Sequence, residues 1–151
     1  MDRIIESFIE DFKSDYNYDN IDKSLLFEKF INYCLISKIY PDRSSLDKIN
    51  VGGTRNPGID GLAIMVNDHL VTSMEEVDYF IEASDRLDVE FIFVQSKTSD
   101  KFEMAHIHSF MLSVNNFYTD CNLTFEDTVL NLRDVKDYIY KKSIKMDKSP
   151  I

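Results

Sequence analysis

The chain has 151 residues, 44% of them hydrophobic and 13% aromatic, which is enough for one domain to bury a sizeable core and excludes a disordered polypeptide. No apolar run approaches the about 20 residues of a membrane span, and two cysteines, Cys34 and Cys121, without a Cys-x-x-Cys pair exclude a disulfide scaffold or a zinc cluster. Lys plus Arg number 17 against 27 Asp plus Glu, a net charge of -10, so a surface built mainly to hold phosphate backbones is excluded and a nucleic-acid role must rest on a local site or on parts missing from this chain. The acids in MDRIIESFIEDF replace the basic start of a secretory leader, and the expected compartment is the cytoplasm.

Ile4, Ile5, Phe8, Ile9 and Phe12 recur at helical spacing and predict a helix over 2–15. A second is expected at about 22–38, where Leu25, Leu26, Phe27, Phe30, Ile31, Cys34 and Leu35 make a broad apolar face with Glu28 at its margin. Residues 39–58 lose periodicity, and Pro41, Asp42, Ser44 and Ser45 read as a loop. All four glycines (Gly52, Gly53, Gly58, Gly61) fall between 52 and 61. An average chain of this length has about ten, spread out. One tight or crowded turn is therefore expected here.

Ile59–Val66 reads as a strand, with Asn67-Asp68-His69 turning into Leu70-Val71. Ser73-Met74-Glu75-Glu76 is a capping box opening a helix over 74–84, with Met74, Val77, Phe80 and Ile81 inward. Val89–Lys97 is nearly continuous in apolar residues and is expected to be central in its sheet. Further helices are expected at about 102–118, with Ala105, Ile107, Phe110, Met111, Val114 and Phe117 on one side, and at 125–140. The order is that of an α/β fold, a small mixed central sheet flanked by helices. A single domain over 1–140 is expected, with KKSIKMDKSPI (141–151) as a polar tail or truncated linker of a longer protein.

Alternation along the second strand puts Phe93, Gln95 and Lys97 on one face and Glu90 on the other, while Asp60 shares the face of Leu62, Ile64 and Val66. If these strands are neighbours, an acid, an amide and an ammonium converge. That grouping suits hydrolysis of a phosphodiester. Asp60 binds a hard cation, the Gln95 carbonyl and the Ser96 backbone carbonyl add neutral oxygens, and Lys97 orients water and offsets phosphate charge. Glu28 reaches the same cation directly or through water. Singly, Asp60 is a turn acid, Lys97 a solvated strand end and Gln95 a satisfied core amide; the combination carries the reading. His106 and His108 point apart on their helix and His69 lies in the turn, so no histidine site is expected. Cys34 reads as a small core residue, Cys121 lacks a neighbouring His, Arg55 is an exposed loop residue, and Lys141, Lys142, Lys145 and Lys148 form a solvated basic tail.

Gly58-Ile59-Asp60-Gly61, followed by Phe93-Val94-Gln95-Ser96-Lys97, resembles the PD-(D/E)XK nuclease signature in its Gln-x-Lys, Mrr-like variant. The wider run GGTRNPGIDGLAIMVN, LVTSMEEVD and FIFVQSKTSDKF is similar to the amino-terminal part of abortive-infection phage-resistance (AIPR) proteins over about residues 25–118. Ile59 stands where the signature has proline, and Gln95 where it has the second acid. The resemblance implies a restriction-endonuclease-like fold and a magnesium- or manganese-dependent nuclease in antiphage defence. It assigns Asp60, Gln95, Lys97 and the helix acid Glu28 to catalysis, with Asp60, Gln95 and Ser96 at the metal. DNA rather than RNA is the implied partner, with no membrane, and both a homodimer and a missing carboxyl-terminal region are allowed for. The alternatives are an inactive interaction module of the same fold and an RNA-directed nuclease.

Overall fold

The computed structural model describes residues 2–40, 47–53, 55–99, 101, 103–119, 124–146 and 148–150. The loop expected at Pro41, Asp42, Ser44 and Ser45, and Cys121, lie outside the described residues. The elements are α1 (Arg3–Asp15), α2 (Lys23–Ile36), β1 (Gly61–Val66), β2 (His69–Val71), α3 (Met74–Ser84), β3 (Val89–Val94), α4 (Met104–Thr119) and α5 (Asp127–Lys141).

The class is α/β, with a three-stranded sheet in the order β2-β1-β3. Both pairings are antiparallel, which corrects the expected mixed sheet. Asn67 and Asp68 take φ of 50° and 64°, the left-handed pair of a two-residue hairpin, and such a link joins only antiparallel strands. Then α3 carries the chain past β1 to its other edge, so β3 runs with β2 and against β1.

The expectation that β3 is central is also corrected: β1 is the middle strand, buried at all six positions. The apolar run of β3 has a different cause, because both faces of this edge strand are covered. On one face Phe91 and Phe93 meet the rings of Phe117 and Tyr118, and on the other Ile92 packs with Ile36, Ile49 and Ala63. The larger core unites Leu62, Ile64 and Val66 with Val77 of α3, Phe117 of α4, and Val129, Leu132, Val135 and Ile139 of α5. Beyond the smaller face, α1 and α2 share an aromatic cluster around Phe12, Tyr16, Phe30 and Tyr33.

Helix faces depart from the apolar pattern in four places, one of them α2, where Leu25 and Leu35 are exposed. Of the residues expected inward on α1, Ile9 and Phe12 are buried while Ile4, Ile5 and Phe8 are exposed; on α3, Val77 is buried and Met74 exposed. On α4 the inward side is Ser113, Asn116 and Phe117, and Ala105, Ile107 and Met111 face out. Polar partners choose that face. Ser113 Oγ donates to the Pro57 carbonyl (2.6 Å), and the buried Lys136 of α5 donates to the Phe117 carbonyl (3.1 Å) at the negative end of the α4 dipole.

After α5, a 3-10 turn at Ser143–Lys145 brings Met146 into a parallel bridge with Leu87. Lys142, Lys145 and Lys148 pair with Asp78, Asp85 and Asp88. Among the described residues no helix is long and apolar enough to cross a membrane.

Candidate functional site

The glycine segment is crowded, as expected, and what crowds it is polar. A Cβ placed on Gly52 would lie 2.5 Å from Glu28 Oε2 and 3.6 Å from Asp60 Cα, and one on Gly53 would meet the Glu126 carboxylate at 2.7 Å. At Gly58, with φ of 75°, it would lie 2.9 Å from both Gln95 Nε2 and the Phe110 backbone nitrogen. At Gly61 it would overlap the Asn32 amide. Each glycine thus makes room for one side chain brought from elsewhere: Glu28, Glu126, Gln95 and Asn32. Asn56 fastens the loop from inside, donating to the Val51 carbonyl and accepting from the Glu126 backbone N–H (3.0 Å).

Asp60 sits where this segment enters β1. Its N–H donates to the Val94 carbonyl (2.8 Å), while its Oδ2 accepts from the Ser96 N–H (2.6 Å) and from Ser96 Oγ (3.1 Å). Gly61 and Val94 are the last partners of the β1–β3 ladder, and Asp60 and Ser96 meet just beyond them. Buried Asn32 donates from Nδ2 to the Asp60 carbonyl (3.1 Å) and to Asn50 Oδ1 (2.7 Å).

One turn before Asn32 on the same helix, Glu28 is half-buried. Its carboxyl is held above the ordinary range, first by burial and then by the charge of Asp60, with the Lys97 ammonium acting in the opposite sense. Glu28 therefore feels both Asp60 and Lys97, although the three come from separate segments. Gln95 is oriented differently: its Nε2 donates to the His106 carbonyl of α4 at 3.4 Å. A carbonyl only accepts, so the amide nitrogen is the end turned to α4 and the oxygen is the end left for another partner. Ser96, expected as a carbonyl ligand, meets Asp60 through its N–H and hydroxyl instead.

The donor set fits a hard divalent cation. The Asp60 charge helps to raise the Glu28 carboxyl, and a positive ion would relieve that repulsion while both residues supply oxygen. Among the described residues there is no group of three or more His, Cys, Asp or Glu placed to hold a metal. A cation here would be held by few protein oxygens, the arrangement magnesium tolerates by retaining water.

The remaining candidates sit as side chains of the fold. His106 is partly buried, with Nδ1 lacking a hydrogen-bond partner, while His108 and Arg55 are exposed. Cys34 is half-buried, which raises its thiol pKa. Asn32, Asn56 and Ser113 escape a reading by motif. Their one sequence signal is a small polar residue among apolar neighbours or beside a glycine, which by itself names no partner. Comparison of the chain with family models, with curated proteins and with solved structures gives no match.

Proposed function

We propose that this chain is a restriction-endonuclease-like nuclease domain that hydrolyses DNA phosphodiester bonds with magnesium or manganese, in the cytoplasm and in antiphage defence. The single observation that carries the reading is that Glu28 and Asp60 both lie against Gly52, close enough for the Asp60 charge to help hold the Glu28 carboxyl above its ordinary range. Support also comes from the Ser96 N–H and hydroxyl meeting the Asp60 carboxylate where β1 and β3 end together.

In this reading Asp60 and Glu28 supply carboxylate oxygens to the cation, with the Gln95 carbonyl as a neutral third. The bound ion contributes Lewis-acid stabilisation of phosphate charge and a more acidic water. The Ser96 N–H and hydroxyl fix the Asp60 carboxylate, so little motion is needed when substrate arrives. Asn32 holds the Asp60 peptide from the α2 side. The Lys97 ammonium donates to the attacking water or to a phosphate oxygen and offsets the charge that builds on phosphorus.

The test is cleavage of supercoiled plasmid and of single-stranded RNA with magnesium or manganese, beside Asp60→Ala and Lys97→Ala. Loss of at least about a hundredfold in both variants is the expected result. A second reading, an inactive interaction module of the same fold, is favoured by one observation: the chain's own groups already engage the Asp60 carboxylate and the Gln95 amide. Equal signals from wild type and both variants would select it. Cleavage of RNA alone would move the substrate class to RNA.

A further inference from the structure

At the opposite end of β1 from Asp60, the chain forms a hollow of about 320 Å³ between β2, the start of α3 and the segment after α2. Four aromatic side chains line it. The ring centroids of Tyr40 and His69 are 6.3 Å apart at 63°, those of His69 and Phe80 4.9 Å at 35°, and those of Phe80 and Tyr79 5.3 Å at 78°. Rings set at such angles line an open hollow from more than one direction and cannot form a flat stack.

The charge of the lining has one sign. Glu75 and Glu76 belong to it, and among the described residues that line it there is no Lys or Arg. Glu76 is fixed, because its Oε2 accepts from the Ser73 N–H (3.2 Å) in the capping box of α3 and from the Thr72 N–H. His69 adds an acceptor. Its Nδ1 lies 2.7 Å from the Asn67 carbonyl, which only accepts, so Nδ1 is the donor there and Nε2 is the acceptor of the neutral ring. Aromatic walls, fixed carboxylate charge and a ring-nitrogen acceptor together select one class of guest. An anion is repelled by the two glutamates, and a neutral apolar guest leaves their charge unused.

We infer that this hollow binds an organic cation, an alkylammonium or guanidinium group held by ring faces and by Glu75 and Glu76. Such a group is carried by a free polyamine or by a lysine or arginine side chain of a peptide. No residue of the hollow belongs to the Asp60 site, so cation binding and nucleic-acid cleavage succeed or fail separately.

The experiment is a proton NMR titration of the full chain with choline and with 3,3-dimethylbutan-1-ol, its uncharged isostere. Choline is expected to shift the ring signals of His69 and Tyr79 saturably and to bind at least about fivefold more tightly than the isostere. Tyr79→Ala and Glu75→Gln, both at exposed positions, are each expected to weaken choline by about three- to tenfold with the far-ultraviolet circular dichroism unchanged. Spermidine and a lysine-containing peptide then distinguish the sources, and the tighter of the two identifies the guest. Equal binding of choline and its isostere, ring signals that do not move, or choline shifts that persist unaltered in Tyr79→Ala would each overturn the assignment, as would a failure of both spermidine and the peptide to bind.

Discussion

The two ends of β1 are closed by different means. At Val66 the closure is local: Asn67 and Asp68 turn the chain, His69 pairs back to Val66, and Ser73 with Glu76 caps the helix that follows. At Gly61 it is distant. Asn32 reaches the Asp60 carbonyl across 28 residues, Ser96 reaches the Asp60 carboxylate across 36, and Glu126 meets Asn56 across 70. Buried polar groups must be satisfied, and gathering them from so far apart is demanding when apolar packing would close a strand more simply. The end that carries this burden is the end where Glu28 and Asp60 flank Gly52.

Substitutions at the two ends should therefore differ in cost. The largest loss is expected for Gly58→Ala, which places a side chain at positive φ and against the α4 backbone: about 3–4 kcal/mol in urea unfolding, from strain and overpacking together. Asn32→Ala follows at about 2–3 kcal/mol, since it removes two hydrogen bonds and leaves a buried volume. At the local end, Ser73→Ala should lose about 1 kcal/mol, the ordinary value of a helix cap. A larger loss from Ser73→Ala than from Asn32→Ala would break the contrast.

The smallest effect has the opposite sign. The Glu28 carboxyl is raised in the folded chain, so folding favours its protonated form. The stability linked to that proton is complete below the ordinary carboxyl value of 4.5 and is lost as pH rises through the higher folded value. Glu28→Gln has no charge to develop there. Its Tm should match wild type in acid and exceed it by about 1–2 °C at neutral pH, a modest figure because water screens this half-buried group. Magnesium should erase the advantage by raising the wild type alone, which a thermal melt with and without the ion would measure.

The same contrast explains what could be read before the coordinates. The hairpin, the capping box and the bounds of α3 follow from residues within one turn of each other, and they stand where spacing put them. The two longer strands are neighbours, the condition that alternation set for Asp60 and Gln95 to converge. On α4 the inward place of Phe117 was legible but that of Ser113 was not, because Ser113 is drawn in by the Pro57 carbonyl, whose position no local pattern encodes. Likewise, an apolar run shows that both faces of β3 are covered but not that one of its edges lacks a strand. The roles of Asn32 and Asn56 depend on partners revealed only when the chain closes.

The bridge between Leu87 and Met146, with Lys145 O accepting from the Leu87 N–H at 2.9 Å, bears on how the molecule is made. A ribosome releases the sheet and all four preceding helices before α5 and this clasp exist. Until they emerge, Leu62, Ile64 and Phe91 lack the layer that finally shields them from water. The nascent chain therefore passes through an interval of sticky, half-roofed intermediates, when a chaperone would be most useful and a premature stop most damaging.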